Sequence, residues 1–123
     1  MKAGSGGLVG GVDEARAPAA AMVAIAAEWG RTLRWTVSDG DRPPGRCAGN
    51  ALEVGEAGAV LRGEGPDDLR ELAEGVAGDL AEAAAVVPDG EGRTRAAAAL
   101  RQGDALAMAE RWIEAQDGDP AVW

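Results

Sequence analysis

Apolar residues recur every three or four positions along most of this chain and every second position along one short stretch. Ala15, Ala19, Met22, Ala26 and Trp29 follow the helical rhythm and predict a helix over 13–29. Asp13 and Glu14 suit its positive N-terminal end, and Gly30 suits its stop. Leu33, Trp35 and Val37 alternate with Arg34 and Thr36, which predicts a short strand over 33–37. A second helix is expected over 50–62. Gly65-Pro66 opens a third, whose Leu69, Leu72, Val76 and Leu80 make an apolar stripe on one face. Two more are expected over 93–102 and 104–116, the last with Leu106, Ala109 and Ile113 on one side. Residues 2–11 read as a glycine-rich loop, 39–48 as a Pro/Gly loop and Pro88 to Gly92 as a turn. The fold class is therefore α/β, predominantly helical, with one or two strands and about five helices. One strand cannot form a sheet, so an exposed strand edge is expected along Leu33–Val37.

Composition limits what these elements can build. At 123 residues the chain is at most one domain. Its 46% hydrophobic content is largely alanine, aromatics are 3%, and Phe, Tyr and His are absent. Alanine buries little area at about 25 cal/mol per Å², and nineteen glycines raise the entropy that burial must offset. The core is therefore expected to be under-filled, with Trp29, Trp35 and Trp112 as its main bulk. Trp123, at the terminus, is expected to be mobile or to cover apolar surface. An interior proline at Pro18 costs a helix about 3 kcal/mol.

A net charge of −9 argues against nucleic acid and against an anionic membrane surface as partners. The longest apolar run, from Ala17 to Ala27, contains Pro18 and is too short to span a bilayer. Met1-Lys2 leads into glycines rather than an apolar leader. The single cysteine, Cys47, excludes an internal disulfide and suits a reducing cytosol, so a cytoplasmic protein is expected.

Few residues offer chemistry. Gly4-Ser5-Gly6-Gly7 lacks the Gly-Lys-Ser/Thr ending of a phosphate loop, and its spacing to Gly10 does not fit the dinucleotide fingerprint. Asp39 and Asp41 could pair for acid–base work or metal binding, but among Gly and Pro they are read as turn residues. Arg46 beside Cys47 could lower the thiol pKa, yet no histidine exists to form a Cys–His pair or to act as general base. Glu56, Glu71, Glu74 and Glu82 are read as solvated helix faces.

Several short motifs, in order and at matching spacing, carry a family resemblance. Pro44-Gly45-Arg46-Cys47-Ala48-Gly49-Asn50-Ala51-Leu52-Glu53-Val54 followed by Gly63-Glu64-Gly65-Pro66 resembles "P-L-G-R-x-x-G-N-A-L-E-V … G-E-G-P" of the thymidine/pyrimidine-nucleoside phosphorylases. Lys2-Ala3-Gly4-Ser5-Gly6 resembles "K-x-G-S-G-A-F-M", a turn that follows a strand, with Gly7-Leu8-Val9 in place of Ala-Phe-Met. Asp39-Gly40-Asp41-Arg42-Pro43-Pro44-Gly45 resembles "D-M-x-x-P-L-G", and Glu114-Ala115-Gln116-Asp117-Gly118-Asp119-Pro120 resembles "x-A-Q-G-G-D-P". Residues 2–66 match best, and 67–123 form a helical remainder, so 1–123 is read as one partial domain, the C-terminal part of a large α/β lobe.

The resemblance implies a pentosyltransferase of pyrimidine salvage, which cleaves pyrimidine nucleosides with phosphate to free base and (deoxy)ribose 1-phosphate. It also implies that the base-binding "S-I-M-S-K-K" segment and the Lys/His/Ser and Gly/Thr-rich phosphate segments precede residue 1, so no catalytic residue is expected here. The residues that would select uracil or thymine fall outside the chain as well. Some family members bind a monovalent cation, potassium, through two carbonyls and a carboxylate. The matching positions are Leu52, Gly55 and Glu64, which would form a half-site of hard oxygen ligands. Their bland reading is two ordinary helix residues and a solvated Glu ahead of the next helix. The chain alone is expected to be inactive, with an N-terminal partner chain completing the site. The rival is a non-enzymatic helical interaction module or remnant, self-associating or binding a partner through the edge of Leu33–Val37 or the Leu69/Leu72/Val76/Leu80 stripe.

Overall fold

The elements follow the sequence rhythm with one relocation. The computed structural model describes residues 1–122 and contains β1 (Lys2–Ala3), α1 (Val12–Glu28), β2 (Ser38–Asp39), α2 (Asn50–Leu61), α3 (Asp67–Ala83), α4 (Gly92–Gln102), α5 (Asp104–Glu114) and a 3₁₀ turn, Pro120–Val122. Each expected helix is present within one or two residues of its expected bounds. Trp123 lies outside the described residues.

The strand is displaced. Residues 33–37 form no strand. The ladder instead pairs β1 with β2 in parallel, Lys2 opposite Ser38 and Ala3 opposite Asp39. It thus draws one strand from the expected glycine-rich loop and the other from the expected Pro/Gly loop. The reason is the partner. Strand pairing needs a second backbone alongside, and β1 reaches back only to Met1. Its ammonium donates to the Thr36 carbonyl at 2.7 Å, and its carbonyl accepts from Ser38 N–H at 3.0 Å. Among the described residues, no backbone forms a ladder with the alternating segment before that point.

The helices are closed by local chemistry. Glu14 reaches back to the Gly10 N–H at 2.9 Å ahead of α1. Glu53 does the same for Gly49 at 3.3 Å ahead of α2. Pro66 caps α3, and Asp67 and Asp68 occupy its first turn, where the dipole favours acids. α2 ends in a paired cap: Gly63 N–H bonds Val60 O at 2.9 Å and Glu64 N–H bonds Ala59 O at 2.8 Å. Gly63, at φ +81°, permits it. α3 ends the same way, with Ala85 at φ 54° in the position usually given to glycine. Pro18 sits inside α1, which continues through it.

The closest helix pair is α3 against α4. They approach where a Cβ on Gly78 would stand 2.5 Å from Arg93 N and 2.7 Å from Gly92 C, so two glycines set the distance between the backbones. Glu82 locks the connection: Oε1 accepts Gly90 N–H at 2.9 Å and Gly92 N–H at 2.7 Å, and Oε2 pairs with Arg34 at 2.9 Å. Glu82 and Glu74, which pairs with Arg70 and Arg93, are therefore tethers rather than solvated faces.

The core is small, and it is not the expected one. Its buried apolar residues are Ala15, Ala19 and Val60, and among the described residues no large side chain is fully buried. Trp29, Trp35 and Trp112 are 79%, 42% and 64% exposed, so they do not supply its bulk. Among the described residues, no second layer covers these three side chains. The accessible surface is 8348 Å², whereas a compact monomer of 12.4 kDa exposes about 6,100 Å². The excess, roughly 2,200 Å², exceeds what one partner contributes to a standard interface, about 800 Å². Among the described residues no helix is long and apolar enough to cross a membrane.

Candidate functional site

Both strands point their C-terminal ends at the same place, the position where open α/β sheets bind ligands. β1 runs into Gly4-Ser5-Gly6, and β2 runs into Gly40-Asp41-Arg42. Asp41 joins the two turns: its Oδ1 accepts Ser5 N–H at 2.7 Å and Ser5 Oγ–H at 2.6 Å. Those bonds, the hydroxyl's first, hold the Asp41 carboxyl below its usual value. Asp39 Oδ1 accepts the Asp41 N–H at 2.8 Å. Asp39 and Asp41 thus serve turn and cross-strand geometry, as their Gly/Pro setting suggested. Gly4 N–H bonds Val9 O and Gly7 N–H bonds Gly4 O, so the glycine-rich turn bonds its own backbone.

Beyond the strands, residues 42–47 wrap against α2 and α3. Glu56 Oε1 accepts Arg46 N–H at 2.8 Å and its Oε2 accepts Cys47 N–H at 3.3 Å. The Arg46 guanidinium pairs with Asp68 at 3.0 Å, and that hydrogen bond foremost lowers the Asp68 pKa. Arg46 was expected to lower the Cys47 pKa, but the thiol is shifted upward. Partial burial is the main cause, followed by the negative charge of Glu56. Arg46 has turned away to Asp68, which leaves a carboxylate facing the sulfur. Cys47 is a poor nucleophile here.

These residues line an open cavity of about 670 Å³ bounded by Lys2, Asp39, Arg42, Arg46 and Asp68. Its cations are all engaged. Lys2 Nζ donates to the Asp39 carbonyl at 3.2 Å, Arg42 lies 3.5 Å from Asp39 Oδ2, and Arg46 is held by Asp68. The cleft lies where a ligand site would, and each of its cations shares its charge with an oxygen of this chain. Sequence reasoning missed Glu56 and Asp68, since a helix carboxylate that bonds a distant loop leaves no spacing signal.

The cation candidates are separate from this cleft. Leu52 and Gly55 lie one turn apart inside α2, where helix hydrogen bonds use one lone pair of each carbonyl. Glu64 follows the end of α2, and its carboxylate lies 3.5 Å from Arg62 Nε. Among the described residues, no group of three or more His, Cys, Asp or Glu side chains is placed to hold a metal ion. A hard cation takes about six or more oxygens. These positions offer the right donor type and at most half the number.

Comparison with known proteins follows the motifs. No family model matches the chain. It is 38% identical over 120 residues to the AMP phosphorylase of Thermococcus kodakarensis, across 97% of this chain and 24% of that protein. It is 36% identical over 123 residues to human thymidine phosphorylase, across 99% of this chain and 26% of that protein. It is 38% identical over 125 residues to the pyrimidine-nucleoside phosphorylase of Geobacillus stearothermophilus, across 99% of this chain and 28% of that protein. The chain spans about a quarter of the length of the curated relatives it matches.

Proposed function

We propose, for a chain related along its whole length to the thymidine and pyrimidine-nucleoside phosphorylases, that it supplies one structural quarter of a phosphorolytic enzyme and is catalytically silent without the rest. The complete assembly would take a pyrimidine nucleoside and phosphate and release base and (deoxy)ribose 1-phosphate. The observation that carries the reading is a strand-end cleft whose cations Lys2, Arg42 and Arg46 each already face an oxygen of this same chain. A phosphate placed there would share those cations with the carboxylates of Asp39 and Asp68, whose negative charge opposes it, so the main oxyanion donors come from elsewhere.

The part this chain plays is positional. Asp68 lines the cleft, while the Ser5–Asp41 bonds and Glu56 hold the turns and loop around it. Leu52 and Gly55 carbonyls and the Glu64 carboxylate would contribute half of a monovalent-cation site, potassium as the resemblance to the family implies, with the other ligands supplied by the phosphate-binding part of the fold. That cation would supply fixed positive charge near the phosphate segment.

Mixing tests the proposal. The purified chain is combined with a version of the Geobacillus enzyme from which the matched quarter has been deleted, and base release from uridine and thymidine is followed in phosphate buffer. Activity in the mixture that neither part shows alone supports the reading. A chain that binds the deleted enzyme yet never restores turnover overturns it in favour of a non-enzymatic remnant. AMP as a third substrate distinguishes a nucleotide preference from a nucleoside one.

A further inference from the structure

Trp112 belongs neither to the small core nor to the cleft. On α5 the half-buried side is Leu106, Ala109 and Ile113. A Cβ on Gly118 would stand 2.8 Å from Ile113 Cγ2, so the turn after α5 lies against that side. With about 100° of rotation per residue, Asp104, Met108, Arg111 and Trp112 share the far side. Met108 is 57% and Trp112 64% exposed there. The two charges on this face are unused. Among the described residues neither Asp104 nor Arg111 joins an ion pair. The Arg111 guanidinium lies instead 4.0 Å from the Met108 sulfur. Asp104 in the first turn and Arg111 in the last each suit the dipole of their own helix. The dipole accounts for their opposite ends and not for their common face.

We infer that this face of α5 is a self-association surface, and that its occupant is α5 of a second copy, lying antiparallel across a two-fold axis. The charges select this occupant. A two-fold contact uses the same patch twice, so the patch must complement itself. An antiparallel pair centred between Ala107 and Met108 sets Asp104 opposite Arg111 of the other copy, and Arg111 opposite its Asp104, because the two lie equally far from that centre. The same register brings the two Met108 side chains together near the axis. It lays each Trp112 indole over Gly103 of the other copy, where a Cβ would meet nothing within 4 Å. Antiparallel helices also set their dipoles head to tail.

The pair is a weak one. A face on an 11-residue helix is smaller than the about 800 Å² that each partner gives a standard interface, which puts it among transient contacts. The net charge of −9 per copy opposes association. Screening over about 8 Å at physiological salt leaves the charges nearest the face to decide, and those pair with opposite sign. The surface goes beyond the functional reading above and does not rest on it.

The test uses the full chain with Cys47→Ser, which removes the native thiol, and Met108→Cys, which puts one cysteine beside the axis. Helices about 8–10 Å apart bring such residues within disulfide reach. Val86→Cys, in the bend after α3 and 75% exposed, is the control. Under mild oxidation Met108→Cys should form disulfide dimers about tenfold faster than Val86→Cys. Asp104→Arg or Arg111→Asp, each added alone to the Met108→Cys chain, sets like charges against each other at both ends and should slow dimer formation about tenfold. Mixed together, the two variants are complementary. Dimers of mixed mass, read by mass spectrometry, should recover the parent rate, which also shows that both variants fold. A parallel pair would leave the single variants no slower than their parent, because like charges face each other in it already. Single variants at the parent rate, a mixture that recovers nothing, or a Met108→Cys rate no faster than the control overturns the surface. Sedimentation of the unmutated chain checks it without any substitution. The average mass should climb above 12.4 kDa with concentration, and a mass that stays there up to about 1 mM overturns it as well. None of these readouts depends on base release.

Discussion

Gly75 and Gly78 lie three residues apart on α3, and the same substitution should have opposite effects at the two. An alanine Cβ at Gly78 would meet Arg93 N at 2.5 Å, Gly92 C at 2.7 Å and Arg93 Cα at 2.9 Å. All three are main chain, so no side chain can swing aside. Comfortable contact needs about 3.5 Å or more, so the start of α4 must retreat by about 1 Å. Overpacking of that kind costs about 1–3 kcal/mol. The retreat also stretches the 2.7 Å bond from Gly92 N–H to Glu82, worth about 1.5–3 kcal/mol when fully lost. Against this, Gly→Ala inside a helix gains about 1 kcal/mol. Gly78→Ala should therefore destabilise by about 1–3 kcal/mol. Gly75 has nothing within 4 Å of its would-be Cβ, so Gly75→Ala should keep the gain of about 1 kcal/mol. Urea unfolding followed by circular dichroism separates them, with a slope of about 1–3 kcal/mol per molar. Thermal midpoints should move in opposite directions by about 4 °C per kcal/mol. Equal shifts of the same sign would refute the claim that Gly78, against Gly92, sets the α3–α4 distance.

Other consequences can be checked independently. Ala85→Gly relieves a left-handed alanine at the end of α3 and should stabilise by roughly 1 kcal/mol, read in the same urea melts. Glu56→Gln removes the charge that helps raise the Cys47 pKa; more thiolate then forms near pH 8, and alkylation by iodoacetamide should speed up, whereas an unchanged rate would mean that burial alone sets the shift. Asp41 and Asp68 have folded pKa values below the usual 3.8, so their stabilisation is present above that value and is lost as pH falls through the lowered ones. Stability should drop below about pH 4, and Asp41→Asn should flatten part of that drop in acid titrations. Trp29, Trp35 and Trp112 are exposed, so acrylamide should quench most of the folded chain's fluorescence; strong protection would contradict the open core.

Periodicity was a reliable guide where an element is local. α1 to α5 each need only their own stripe, caps and glycine stops, and all lie in the sequence as such. It failed where structure depends on something brought from afar. Leu33–Val37 has the alternation of a strand, but a strand exists only with a partner, and the backbone alongside begins at Met1 opposite Val37. The tryptophans were expected inside because large aromatics usually are, yet burial needs a covering layer, and the alanine-rich helices leave Trp29 and Trp112 without one. At the cleft, Asp39, Asp41 and the glycine turn were legible as turn chemistry. Glu56, Asp68 and Glu82 were not, because their partners lie eight to twenty-odd residues away across loops. The resemblance to the family, by contrast, was carried by contiguous motifs, which can be read without any tertiary partner.

The most direct test of the central claim is base release by the purified chain alone, incubated with uridine, thymidine and, separately, AMP in phosphate. The committed cations of the cleft and the span of about a quarter of the relatives' length predict no release above a protein-free blank. Release that tracks the chain through purification, and falls when Arg46 is replaced by alanine, would contradict the account and place working phosphorolysis within these 123 residues.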